Sequence, residues 1–155
     1  MPDPESKFLI FSLSGRLYAL DLKRVAEVGD PPRLWPVPLT SPCVAGALNF
    51  HGDIVAALHL PLLMGLHSDN KAEKIIVLHK DIASLAFLVD TVVRIISGEE
   101  ASFAPAPDDA FAVATLSFPN GTAIQLNVDK LASEAERLIH KSPLTTKISA
   151  DGKNA

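Results

Sequence analysis

The chain contains a single cysteine, Cys43, among its 155 residues. That excludes an internal disulfide framework and a zinc cluster built from several thiolates. Charge is sparse as well: fourteen Lys plus Arg against eighteen Asp plus Glu leave a formal −4. This balance lacks the basic face that nucleic-acid binders carry, so no nucleic-acid partner is expected. No apolar run reaches the ~20 residues of a membrane span. The longest, residues 54–66, is interrupted by His59, Pro61 and Gly65. Residues 1–5 are acidic and lack the basic start of a secretory signal. A soluble, cytoplasmic protein with no direct membrane insertion is the expectation.

Apolar residues, by contrast, make up 48% of the chain, and mean hydropathy is positive at +0.24. One domain of this length hides roughly 70% of its unfolded surface, so stability requires neither metal nor cross-link. So apolar a chain has either a large core or apolar surface left for a partner.

Short apolar runs separated by turn residues dominate the pattern. Residues 8–13 and 17–21 flank Ser14-Gly15 and read as a hairpin. Leu22, Val25, Ala26 and Val28 share a helical spacing, predicting a short helix over residues 22–28, closed by Gly29 and Pro31-Pro32. Five prolines between residues 31 and 42 predict an extended connector with Trp35 and Leu39 tucked against the body. Residues 45–50 and 54–60 flank a turn at His51-Gly52, where glycine supplies a positive φ.

Runs at 74–79, 82–90 and 91–97 read as further strands, and the acidic, proline-containing stretch 98–109 as a loop. Asn120-Gly121 predicts a hairpin between runs 111–118 and 122–126. Leu131, Ala135 and Leu138 predict a helix over 129–140, and residues 141–155 a flexible tail. No fixed-period repeat is present. Many short strands at close spacing indicate small barrels or a sandwich.

Catalytic signatures are lacking too. His51, His59 and His67 are eight residues apart, so no two of them fall at the i, i+4 helix spacing of a zincin, and no H-E-x-x-H, G-x-S-x-G or phosphate-binding loop occurs. His59 lies within an apolar run and reads as a core or edge histidine. Cys43 reads as a small buried hydrophobe. The pairs Glu99-Glu100 and Asp108-Asp109 read as solvated charges. No catalytic residue, metal site or cofactor is expected.

The block Gly46-Ala47-Leu48-Asn49-Phe50-His51-Gly52-Asp53-Ile54-Val55 resembles the G-x-x-N-x-R-G-x-[IV]-[IV] signature of the CheW-like family, the bacterial chemotaxis coupling proteins. Phe8 to Leu13 with Tyr18 to Asp21 resembles the family's first hairpin, and Val25-Ala26-Glu27-Val28 its V-x-E-[IV] segment. The segments at 75–78, 83–90 and 124–131 follow in family order, so the resemblance spans residues 8–139. In two places the chain departs from the pattern. His51 stands where the family has arginine, and His59 where it has aspartate before leucine, with Ala57 where proline is usual. An imidazole lacks the permanent charge and planar fork of a guanidinium.

The resemblance implies a mainly β fold. Two five-stranded SH3-like barrels would share a hydrophobic core across residues 1–140, with a short helix after the first hairpin and a C-terminal helix. It also implies a non-enzymatic adaptor that binds a methyl-accepting chemoreceptor's cytoplasmic tip and the regulatory domain of a CheA-type histidine kinase. By the same match, Val25, Glu27 and Val28 fall in the partner-contact segment, and Gly46, Asn49, His51 and Gly52 beside the groove between the barrels.

On their own terms, Val25 and Val28 fit core positions equally well, and Gly46 and Gly52 are backbone-shape residues. Glu27 and His51 are the best candidates for direct contact. Two other readings stay open: a peptide or small-ligand binding module on the same fold, and a histidine-dependent hydrolase or metal enzyme using His51, His59 and His67.

Overall fold

Strands that are apolar at every position must be covered on both faces, and the layout of this chain does so. The computed structural model describes residues 5–38, 40–67 and 71–140. In chain order the elements are β1 (Lys7–Leu13), β2 (Arg16–Asp21), β3 (Val25–Gly29), β4 (Val44–Phe50), β5 (Asp53–His59), α1 (Leu60–Leu63) and β6 (Lys74–Leu78). They continue as β7 (Leu85–Val89), β8 (Thr91–Ser97), β9 (Ser102–Pro105), β10 (Ala112–Phe118), β11 (Gly121–Leu126) and α2 (Val128–His140). The first sheet runs β8-β1-β2-β11-β10-β9, and the second runs β3-β6-β7-β5-β4.

Each sheet has its own interior, and a third cluster lies between the two. In the first sheet Phe8, Ile10, Ala19, Ile96, Leu116 and Ala123 pack together. In the second, Leu48, Val55, Ala57, Ile75, Val77, Ala86 and Leu88 do the same. The alternate residues of the same strands form the shared core: Leu9, Phe11 and Leu13 of β1, Ile76 and Leu78 of β6, and Leu85, Phe87 and Val89 of β7. With a side-chain period of two, one strand thus serves two cores. This is why residues 8–11 of β1, 75–78 of β6 and the whole of β7 read as unbroken apolar runs.

Helix α2 closes the shared core with Val128, Leu131, Ala132 and Ala135. Its first turn is capped by Asn127, whose Oδ1 accepts the Lys130 N–H at 3.1 Å. Arg24 holds the same end through Asp129 at 3.0 Å.

Five sequence expectations need correction. The helix predicted over 22–28 is only a 3-10 turn, Leu22–Arg24, followed by strand β3. The helical spacing arose from a bulge: the register on β6 shifts between Val25 and Glu27, so Val25 and Val28 both turn to the shared core three residues apart.

The first sheet has six strands, not five, because the presumed loop 98–109 contains β9. Phe103 anchors it, with its ring 5.7 Å from Phe8 in the interior.

At 118–121 the turn residues are Pro119 and Asn120, and Asn120 takes the positive φ, 75°. Proline followed by a left-handed residue is a type II pattern. Gly121 is already in the strand, where a Cβ would come 3.0 Å from the Phe118 ring.

The run 82–90 becomes strand only from Leu85, since Ile82 turns back to donate its N–H to the His79 carbonyl. Trp35 is tied by its backbone rather than tucked in: its N–H and C=O bond Ala47 at 2.8 and 2.9 Å, while the side chain is 56% exposed. Leu39 and the predicted tail 141–155 lie outside the described residues.

Candidate functional site

The β4–β5 turn is a two-residue reversal with His51 and Gly52 both left-handed, at φ 51° and 90°. Two consecutive positive φ values mark the type I′ geometry that suits a tight hairpin. Asn49 holds it, its Oδ1 accepting the Gly52 N–H at 2.9 Å. The turn places the His51 ring outward, 75% exposed, with the Phe50 ring against it at 4.3 Å between centroids.

Glu27 reaches the same spot from β3. Its Oε1 is 3.9 Å from His51 Nε2, although β3 and β4 are the two opposite edges of the sheet. Such a meeting requires the sheet to curl round until its ends approach. Both side chains are more than half exposed and the separation exceeds a hydrogen bond, so the pair contributes at most ~1 kcal/mol, and only with His51 protonated. An exposed, weakly coupled acid and imidazole are free to engage something else.

The other candidates are placed differently. Gly46 lies under the proline-rich connector, where a Cβ would sit 2.7 Å from the Trp35 carbonyl oxygen and 3.0 Å from Leu34 Cβ. Val25 and Val28 are partly buried against the shared core. The structure therefore brings together Glu27, His51, Asn49 and Gly52, and sends the two valines inward.

Sequence reading missed Ile54, which is 69% exposed. It continues the β5 face along which Ala56 and Leu58 enter the shared core, so an apolar stripe runs out of the core onto the surface beside the turn. The alternation of Ile54, Ala56 and Leu58 against Val55 and Ala57 was the available signal.

The three evenly spaced histidines are not gathered. His51 lies in the turn before β5 and His59 at the far end of that strand, whose length is roughly 20 Å at ~3.3 Å per residue, and His67 meets the first hairpin through its carbonyl, which accepts the Ser14 hydroxyl at 2.8 Å. No group of three His, Cys, Asp or Glu suited to a metal occurs among the described residues. Cys43 is buried, its sulfur 3.1 Å from the Ser41 hydroxyl. Glu100 caps its own turn at the Ser97 N–H and pairs with Arg94 at 2.8 Å.

His59 is half-buried, and desolvation pushes its imidazole below the ordinary value of 6.5. The unfolded chain takes up this proton near pH 6.5, whereas the folded chain resists it. Stability is thus full above that pH and falls as the pH drops through the window below 6.5, levelling off beneath the folded pKa. Urea midpoints measured from pH 8 to 5 are expected to show this slope, and His59→Gln to reduce it.

Comparison with known proteins decides the family. The CheW-like domain matches residues 7–136. The chain belongs to the CheW-like family. The chemotaxis protein CheW of Thermotoga maritima is 28% identical over 93 residues, 59% of this chain and 62% of that protein. The scaffolding protein TtCheW of Thermoanaerobacter tengcongensis superposes with a TM-score of 0.72 at 26% identity, over 82% of this chain and 92% of that one. The first of these two is described as a chemotaxis protein and the second as a scaffolding protein. The hydrolase reading required His51, His59 and His67 to share a site, and they are not gathered. No helix among the described residues is long and apolar enough to cross a membrane.

Proposed function

We propose that this CheW-like chain couples the cytoplasmic tip of a methyl-accepting chemoreceptor to the regulatory domain of a CheA-type histidine kinase in the cytoplasm. It does so by holding the two together without covalent chemistry. Simultaneous binding raises the effective concentration of one partner at the other, and repetition in an array multiplies the effect. The observation that carries this reading is the meeting of Glu27 and His51, from opposite edges of the second sheet, at one exposed place beside Ile54. Charged groups that are exposed and only loosely paired suit a contact of moderate affinity.

Calorimetry with a CheA-type regulatory domain is expected to give micromolar binding, about −8 kcal/mol. Glu27→Lys is expected to weaken binding to the kinase domain or the receptor fragment by about tenfold or more. Unchanged affinity for both would remove Glu27 from the contact surface.

A further inference from the structure

Behind the Glu27–His51 contact, the curled second sheet leaves a cavity of about 270 Å³ at its end. Its floor is apolar: Val55 and Val77 come from the sheet interior, and Phe50 from the end of β4. The small side chain of Ala26 on β3 leaves this end unstoppered. Two charged residues of opposite sign also line it, Asp53 at the start of β5 and Lys80 after β6. Neither side chain has a salt bridge or hydrogen bond among the described residues; the cavity's two imidazoles, His51 and His79, lie 3.9 Å from Glu27 and 3.4 Å from Asp81.

An apolar floor with a few polar groups at its edge is the usual make-up of a small-ligand site, and this volume lies just below the common range of ~300–1,000 Å³. The charges narrow the chemistry. A simple acid would meet Lys80 but also face Asp53, and a simple amine the reverse. An uncharged apolar molecule would leave both charges unused.

We propose that this cavity binds a small apolar zwitterion, a free α-amino acid with an aliphatic or aromatic side chain. The side chain lies on Val55 and Val77, the carboxylate faces Lys80 and the ammonium faces Asp53. The cavity shares His51 with the proposed coupling surface, but its test needs no partner protein.

The test is a nitrogen-15 NMR titration of the full chain with L-leucine and L-phenylalanine. Saturable shifts are expected at the amides of Ala26, Val77 and Lys80. Leucinamide and isocaproate, each lacking one charge, are expected to bind at least about tenfold more weakly. Lys80→Ala and Asp53→Asn are each expected to weaken leucine binding about tenfold without lowering the melting temperature, since neither side chain makes a hydrogen bond or salt bridge among the described residues. The absence of saturable shifts with either amino acid would overturn the assignment. So would isocaproate or leucinamide binding as tightly as leucine, or unchanged binding in both variants.

Discussion

Phe87→Ala is expected to remove about 3–5 kcal/mol of folding stability. The ring is fully buried in the shared core, on the central strand of the second sheet, opposite Ile76 on one side and Leu58 on the other. Truncation there opens a void where both sheets and α2 contribute side chains, and strands hydrogen-bonded on both edges cannot move in to fill it. Domains of this size are stable by only about 5–15 kcal/mol, so the urea midpoint should fall by a large fraction. A loss below about 1 kcal/mol would mean that the two sheets do not meet at Phe87 as described.

The second large effect is expected at Gly46. At an unstrained site, alanine in place of glycine stabilises by about 0.4–1 kcal/mol through the unfolded chain. Here the added Cβ would be 2.7 Å from the Trp35 carbonyl oxygen, and that oxygen accepts the Ala47 N–H at 2.9 Å. The obstacle is backbone, held by two hydrogen bonds, and cannot turn aside like a flexible side chain. Gly46→Ala is therefore expected to cost about 1–3 kcal/mol and to speed hydrogen exchange at the Trp35 and Ala47 amides. A raised melting temperature would show that the connector does not cross β4 at this point.

Much of the fold was legible because burial on both faces leaves a plain mark. The runs at β1, β6 and β7 are apolar at consecutive positions, and they form the strands shared between two cores. What misled were local features that imitate another period or another turn. The β3 bulge brought Val25 and Val28 to one side as a helix would. Asn120-Gly121 carried a hairpin signal one residue out of frame, because Pro119 supplied the first turn position and Gly121 was needed beneath the Phe118 ring. Strand β9 is too short, and too interrupted by proline, to announce itself without Phe103's contact with Phe8.

Legibility at the site differed by residue. His51-Gly52 was readable as a turn from glycine's conformational freedom, and the structure places both residues in the left-handed region. That Glu27 would face His51 was not readable from spacing, since the contact depends on the sheet curling until opposite edges meet. Ile54 went unremarked because a strand isoleucine is ordinarily a core residue; only its position past the end of the shared core leaves it exposed.

The coupling itself is tested most directly by mixing the chain with a CheA-type regulatory domain and a receptor-tip fragment and weighing the products by analytical ultracentrifugation. The account predicts one species containing all three, absent when the chain is omitted. Two binary complexes that exclude each other, or no complex with either partner, would contradict it.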